Sequence, residues 1–220
     1  MKPGACLFDL DGVLVDTAGF HYLAWKMISD RLGFEFTGQH NERLKGVSRM
    51  DSLEILLEIG RVSLSDEDKL KYAEEKNQLY LSYISRMTPA DILPGARNFL
   101  KELKLNGIRV GLGSSSRNAR LILEKTGIIG YFDCIVDGNL ITRAKPDPEV
   151  FAAGAQMLGV ENRYCVVIED AIAGIEAAHN AGMKCIGIGS TDILSNADRV
   201  FPDLISIKIS DLFFDEKSGM

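Results

Sequence analysis

Short apolar segments recur along the chain and are separated by longer segments with helical spacing. The apolar segments cover residues 5–8, 108–112, 134–136, 165–168 and 185–188, with a shorter sixth at 199–201. Helical patterns fill the intervals after residue 94, at 96–105, 117–126, 149–158 and 171–181. Strands that alternate with helices predict an α/β protein with a doubly wound, mostly parallel sheet.

The segment between the first two predicted strands carries helical patterns alone. Apolar residues recur there at helical spacing in three stretches, 23–32, 49–59 and 65–86. Gly33 follows the first stretch where a helix can end, and Ser65 opens the third as a helix cap. We therefore expect a Rossmann-like α/β core at residues 1–16 and 88–220, with a helical cap domain inserted at residues 17–87.

Composition narrows the class of protein without naming an activity. The 220 residues are 46% hydrophobic and 25% charged, which is ordinary for a globular domain. A formal net charge of −6 argues against a nucleic-acid partner. No apolar run approaches the ~20 residues that a membrane span requires, and the N-terminus shows no signal peptide.

Four cysteines lie in or beside the apolar segments, at Cys6, Cys134, Cys165 and Cys185. No C-x-x-C spacing occurs among them, which argues against a zinc site. Buried, reduced thiols on strands are the better interpretation. We therefore expect a reducing compartment, most simply the cytoplasm.

Chemically reactive side chains follow several of the predicted strands. They are Asp9 and Asp11 after the first strand, Ser114, Ser115 and Ser116 after the second, Lys145 after the third, and Glu169 and Asp170 after the fourth. The carboxyl ends of parallel strands share one edge of the sheet, where ligands bind. The carboxylates offer the oxygen ligands that Mg²⁺ prefers. The serine turn before a helix is a natural phosphate site, and a lysine charge offsets that of a transferring phosphoryl group.

Each of these features also has a simple structural explanation. Glu169 and Asp170 can cap the next helix, and the serines can be turn residues. A second Asp-x-Asp pair, Asp66 and Asp68, lies in a helix-cap pattern, so the spacing alone proves nothing. The structural explanations must each account separately for placement at one sheet edge, which favours a shared site.

Four motifs together resemble those of the haloacid dehalogenase superfamily. They occur in the same order as in that superfamily, and the resemblance covers essentially the whole chain. They are Asp9-Leu10-Asp11-Gly12-Val13-Leu14-Val15-Asp16-Thr17, the turn at Ser114, Lys145-Pro146 and Glu169-Asp170. Within the superfamily, the cap segment is similar to that of the β-phosphoglucomutase group. The matching cap residues are His21, Trp25, Leu44-Lys45-Gly46-Val47-Ser48-Arg49, Asp51-Ser52-Leu53 and Lys76. Ser116-Arg117-Asn118 also matches, with arginine where lysine is expected.

The resemblance implies a role for each of these residues. Asp9 would be the nucleophile that forms a phosphoaspartate, Asp11 the general acid and base, and Ser114 and Lys145 the holders of the transferring phosphate. The implied Mg²⁺ ligands are Asp9, Asp11 through its backbone carbonyl, Glu169 and Asp170. Arg49, Ser116 and Asn118 would bind the second phosphate of a sugar bisphosphate, and His21 and Lys76 would position Asp11. The remaining implied substrate-binding residues are Trp25, Gly46, Val47, Ser52, Ser115 and Arg117.

The implied reaction interconverts β-D-glucose 1-phosphate and D-glucose 6-phosphate through β-glucose 1,6-bisphosphate, in a monomer with a moving cap. Arg49 is the most informative cap residue, because a mutase must hold a bisphosphate at both ends and a phosphatase does not. A Mg²⁺-dependent phosphatase of small sugar or polyol phosphates is the alternative, and a non-catalytic sugar-phosphate sensor is a third. A dehalogenase is disfavoured, since that chemistry needs neither Asp11 nor Asp170.

Overall fold

A six-stranded parallel sheet forms the centre of the protein. The computed structural model describes residues 2–214. The strands are β1 (Ala5–Phe8), β2 (Arg109–Gly113), β3 (Cys134–Val136), β4 (Cys165–Glu169), β5 (Lys184–Ile188) and β6 (Arg199–Phe201), in the spatial order β3-β2-β1-β4-β5-β6. All five strand pairs are parallel, which confirms the predicted fold class.

Eight α-helices accompany the strands in this part of the chain. They are α1 (Ala18–Leu32), α2 (Gly38–Glu42), α3 (Arg49–Gly60), α4 (Asp66–Ile84), α5 (Ala96–Leu105), α6 (Ala119–Thr126), α7 (Glu149–Leu158) and α8 (Ile172–Asn180). The predicted helices agree with these bounds to within a few residues. The five-residue helix α2 was not predicted, because it is too short to show apolar periodicity.

Alternation along β1 explains how the sheet is buried on both faces. Ala5 and Leu7 join a core cluster with residues of α7 and α8, whereas Cys6 and Phe8 join another with residues of α5 and α6. Successive side chains on a strand point to opposite faces, so each helical layer covers alternate residues. This two-sided burial is why the strand is apolar throughout.

The segment from α1 to α4 contains its own apolar cluster. Trp25, Ile28, Leu53, Leu56 and Ala73 are among the residues that pack together there. Side-chain caps begin two of its helices: the Ser65 hydroxyl accepts from the Asp68 backbone N–H at the start of α4, as predicted, and the Ser48 hydroxyl accepts from that of Asp51 at the start of α3. The second Asp-x-Asp pair is therefore a helix start.

The chain enters and leaves this helical segment at adjacent points. Val15 and Ile92 form an antiparallel bridge, and the Leu93 N–H donates to the Leu14 carbonyl at 3.0 Å. The two crossings between the helical segment and the sheet are therefore neighbours in the structure. Met1 and residues 215–220, which the predicted core includes, lie outside the described residues.

All four cysteines are free and buried, on β1, β3, β4 and β5. This confirms the interpretation that they are apolar strand residues. Among residues 2–214, no helix combines the length and apolar character needed to cross a membrane.

Candidate active site

The reactive residues meet at the carboxyl edge of the sheet, around β1. The strand order reverses at β1, because β2 and β3 lie on one side of it and β4 to β6 on the other. Such a reversal opens a crevice at the ends of the strands. Asp9 directly follows β1, Ser114 follows β2, and Glu169 ends β4.

Lys145 is buried beneath this crevice and bridges two carboxylates. Its Nζ lies 2.5 Å from Asp9 Oδ1 and 2.6 Å from Glu169 Oε1, and the side chain is fully inaccessible. Burial alone would lower the pKa of Lys145, but the charges of Asp9 and Glu169 outweigh it and raise that pKa. Lys145 is therefore a fixed positive charge that orients Asp9.

Glu169 is held through both of its carboxylate oxygens but does not cap α8, whose N-cap residue is Ala171 and which has no side-chain cap. Its Oε2 accepts the backbone N–H groups of Asp170 and Ala171, at 2.8 and 2.9 Å, in the turn before α8. Its Oε1 accepts a hydrogen bond from Lys145 Nζ. Glu169 thus links the buried Lys145 to the turn that leads into α8, and the interpretation of Glu169 as a helix cap is wrong.

Three carboxylates lie close enough to hold a cation. Oxygens of Asp9, Glu169 and Asp170 fall within 4.8 Å of one another. Burial raises the pKa of Asp170 well above its ordinary value, and the charges of Glu169 and Asp9 raise it further. Lys45 reaches Asp170 at 3.7 Å and offsets this in part. Crowded, all-oxygen ligands of this kind fit a hard divalent cation.

Gly12 lets Asp170 approach the β1 exit loop. Its backbone has φ of +78°, in the left-handed region that favours glycine. A Cβ at this position would overlap the Asp170 carboxylate. The glycine therefore serves both the turn and the assembly of the carboxylates.

Asp11 lies at the wall of the cavity and is not part of the buried ion pair. Its backbone N–H donates to Asp9 Oδ2 at 3.0 Å, and its side chain accepts a hydrogen bond from the buried Thr17 hydroxyl. Burial, followed by the charge of Asp9, raises the pKa of Asp11 to about 7. A carboxyl group that titrates near neutral pH is suited to both accept and donate a proton.

Lys76 on α4 forms an amine and aromatic cluster above Asp11. Its Nζ lies 2.9 Å from His21 Nδ1, 5.0 Å from the Trp25 ring centre and 4.6 Å from that of Tyr80. Burial, followed by the charge of Arg49, lowers the pKa of Lys76 to about 7. Burial and the charge of Lys76 likewise lower the pKa of His21. The cluster therefore carries less than one full positive charge near neutral pH.

A second cationic group is formed by Arg49 and Arg117. Arg49 begins α3, and its Nη1 lies 3.6 Å from Glu74 Oε2. Burial lowers the pKa of Arg49, Glu74 opposes the shift, and the charge of Arg117 lowers it further. Two guanidinium groups that repel each other across a cavity are favourable for binding a phosphate.

A cavity of about 700 Å³ connects these groups. Most of the predicted site residues line it: Asp9, Asp11, His21, Trp25, Gly46, Val47, Arg49, Ser52, Lys76, Ser114, Ser115, Ser116, Arg117, Asn118 and Asp170. Lys145 and Glu169 lie behind this wall, where Lys145 contacts both Asp9 and Glu169. The structure thus brings the core motifs and the cap residues together around one space.

Direct contacts between the helical segment and the sheet edge close part of the cavity. The Ser115 hydroxyl donates to the Gly46 carbonyl at 2.9 Å, and Asn118 Nδ2 donates to Asn77 Oδ1 at 3.1 Å. Asn77 and Tyr80 line the cavity but were not among the predicted residues. Both follow Lys76 on α4, and the i, i+4 spacing of Tyr80 was a usable signal.

Comparison with known proteins identifies the family. A family model of haloacid dehalogenase-like hydrolases matches residues 3–182. The chain belongs to the haloacid dehalogenase-like hydrolase family. This confirms the resemblance drawn from the motifs.

Individual relatives are similar to this chain over most of its length. A β-phosphoglucomutase of Bacillus subtilis is 44% identical over 89% of this chain and 88% of its own. A crystal structure of β-phosphoglucomutase from Clostridium difficile has a TM-score of 0.92 at 42% identity, covering 96% of this chain and 95% of that one. A phosphorylated carbohydrates phosphatase of Thermotoga maritima is 32% identical over 83% of each chain.

Removing the buried lysine from this haloacid dehalogenase-like site should destabilise the fold. Lys145→Met leaves two buried carboxylates without their partner, and we expect it to lower the free energy of unfolding by about 3 kcal/mol. Urea denaturation in the presence of a chelator measures this. Lys104→Met, which breaks a surface pair with Asp133, is the control and should cost under about 1 kcal/mol. Equal losses in the two variants would contradict a structural role for the buried pair.

Proposed function

We propose that this protein is a phosphomutase of the β-phosphoglucomutase type, which converts β-D-glucose 1-phosphate to D-glucose 6-phosphate. The observation that carries the proposal is the presence of two separate phosphate-binding groups around one cavity. Asp9, Ser114 and Lys145 form one group, and Arg49 and Arg117 form the other. A bisphosphate intermediate needs both groups. The two similar β-phosphoglucomutases support the same activity.

In the proposed reaction, a carboxylate oxygen of Asp9 attacks the C1 phosphorus of β-glucose 1,6-bisphosphate and forms an acyl phosphate. The bond between that phosphorus and the sugar O1 breaks, the proton of Asp11 passes to O1, and glucose 6-phosphate leaves. In the second half-reaction, Asp11 takes the proton of the O6 hydroxyl of β-glucose 1-phosphate as that oxygen attacks the phosphoaspartate, which forms the bisphosphate again. Lys145 holds Asp9 in position through both steps. The serine turn offers hydroxyl and backbone N–H groups to the transferring phosphate at the start of α6.

We assign Mg²⁺ to the acidic group, held by Asp9, Asp170, the Asp11 carbonyl and Glu169. The cation would neutralise charge on the transferring phosphoryl group. Glu169 already accepts three hydrogen bonds, so Asp9 and Asp170 have the freer oxygens. We also propose a monomer in the cytoplasm, which the four free cysteines support.

The test supplies β-glucose 1-phosphate, Mg²⁺ and a trace of β-glucose 1,6-bisphosphate. We expect glucose 6-phosphate to form rapidly, with little inorganic phosphate. Inorganic phosphate without glucose 6-phosphate would favour the second candidate, a phosphatase of sugar phosphates. The similar phosphatase of Thermotoga maritima supports that candidate. Tight binding of glucose 6-phosphate without any turnover would instead indicate a sensor.

Arg49 should be required for the sugar phosphate and not for chemistry at Asp9. We expect Arg49→Ala to lower kcat/KM for β-glucose 1-phosphate by about 10²-fold, because charge-assisted hydrogen bonds are worth ~1.5–3 kcal/mol. Phosphorylation of the protein by acetyl phosphate, which has no second phosphate, should change little. Arg43→Ala, in an exposed pair with Glu58, is the matched control. An Arg49 variant with wild-type kcat/KM would remove the second anchor from the proposal.

A further inference from the structure

A carboxylate lies beside the two arginines that are proposed to hold the second phosphate. Glu74 lines the same cavity as Arg49 and Arg117, and its Oε2 lies 3.6 Å from Arg49 Nη1. Arg49 has no other ion-pair partner among residues 2–214. An incoming phosphate therefore meets an arginine whose charge is already shared with a carboxylate of the protein.

Neighbouring contacts on α4 hold the Glu74 carboxylate at this position. Gln78 Nε2 donates to Glu74 Oε1, which leaves Oε2 for the arginine. About one turn from Glu74, Asn77 Oδ1 accepts from Asn118 Nδ2 at 3.1 Å, which ties α4 to the turn that carries Arg117. Residues three and four apart lie on the same face of a helix, so these contacts fix the face of α4 that borders the cavity.

The exposure of this ion pair makes it weak enough for a ligand to displace. The side chain of Arg49 is 25% exposed and that of Glu74 is 57% exposed, so water screens their attraction. A phosphate that binds Arg49 either displaces the carboxylate or binds next to a like charge. Both arrangements lower the affinity of the arginines for the phosphate.

The proposed reaction gives this loss of affinity a use. In each half-reaction the phosphate that is not transferred lies at the arginines. The bisphosphate formed by attack of O6 must then present its C1 phosphate to Asp9, because the same nucleophile serves both half-reactions. The phosphate at the arginines therefore has to be released once in every turnover.

We infer that Glu74 is an internal competitor for the second phosphate, which weakens the hold of Arg49 on that phosphate and so allows the bisphosphate to exchange its ends. Glu74 acts through Arg49 and is a positioning residue. The inference rests on the proposed role of Arg49 in binding the second phosphate. It identifies a cavity residue whose removal strengthens binding.

Glu74→Gln tests the competition, because it removes the charge and keeps an oxygen that can accept from Gln78. Inorganic phosphate, titrated calorimetrically into the protein with a chelator present, should bind about 3-fold more tightly, the scale of one partly exposed ion pair. Without a cation, the carboxylates around Asp9 repel the anion, so it binds at the arginines. KM for β-glucose 1-phosphate should fall by a similar factor, and kcat should not rise, since the bisphosphate leaves the arginines no faster.

Two further variants locate the effect. Glu75→Gln removes the same charge from the next residue of α4, where Glu75 pairs with Arg31 outside the cavity. It should leave the phosphate affinity and KM at their wild-type values. Arg49→Ala should weaken phosphate binding, and adding Glu74→Gln to it should change the affinity by less than about 2-fold, because the ion pair is already absent.

Tighter binding separates this role from a structural one, since damage to α4 would weaken the site. Unchanged or weaker phosphate binding by Glu74→Gln, an equal gain in Glu75→Gln, or a higher kcat would overturn the inference. If Arg49→Ala binds phosphate like the wild type, the proposed second phosphate site fails, and the inference fails with it. These affinities are measured without turnover, so hydrolysis in place of isomerisation is detected separately.

Discussion

Asp9→Asn is expected to lower the turnover of β-glucose 1-phosphate by about 10⁴-fold or more, the scale lost when an enzyme nucleophile is removed. An amide oxygen is a poor nucleophile and cannot form a stable acyl phosphate. The variant should still fold, because asparagine has nearly the shape of aspartate and its Oδ1 can still accept from Lys145. Loss of activity without loss of structure is the expected signature.

The matched control for this prediction is Asp16→Asn, an exposed carboxylate in the same exit loop. It should retain wild-type turnover and take up label from radiolabelled acetyl phosphate. Asp9→Asn should take up none. If Asp9→Asn turned over the sugar phosphate at a rate near that of the wild type, the nucleophile would have to be another residue.

Asp11→Asn is expected to lower kcat for the sugar phosphate by about 10²- to 10⁴-fold, the usual contribution of general acid and base catalysis. The amide keeps the position next to Thr17 and loses the transferable proton. The pKa of Asp11 is raised to about 7, so the folded protein disfavours the ionised carboxylate. Between the unfolded-state pKa and about 7, stability is lost as pH rises. The variant should therefore melt no lower than the wild type at pH above ~8.

A comparison of donors makes this prediction specific to proton transfer. Acetyl phosphate should phosphorylate Asp9 in the Asp11→Asn variant at close to the wild-type rate, whereas the sugar phosphate should react slowly. A similar loss with both donors would indicate that Asp11 organises the cation or Asp9. That outcome would contradict its assignment as the general acid.

The sheet was predictable because its signals are local. β1 is a four-residue apolar run that ends at Asp9, and both properties are visible in consecutive residues. Parallel strands share a carboxyl edge, so the sequence also placed Ser114 and Glu169 near Asp9. Ser65 and Gly33 marked helix ends for equally local reasons, through a side-chain cap and a left-handed backbone.

The partners within the site were not predictable in this way. Lys145 and Asp9 are in contact although 136 residues separate them in the sequence. A periodic pattern of apolar residues cannot predict a contact between two loops. Glu169 was considered either a helix cap or a ligand, but its two oxygens accept from Lys145 and from the turn before α8, contacts that the sequence did not indicate. The ion pair of Glu74 with Arg49 depends on how α4 packs against α3 and is not visible in the sequence.

In the proposed mutase, a phosphoryl group passes through Asp9 to a sugar rather than to water. The most direct measurement is to label the enzyme with radiolabelled acetyl phosphate, remove the excess, and mix it with unlabelled β-glucose 1-phosphate and Mg²⁺. We predict that the label appears in the sugar bisphosphate and glucose 6-phosphate within one turnover. Label released as inorganic phosphate, with none in the sugar phosphates, would contradict transfer from Asp9 to a sugar.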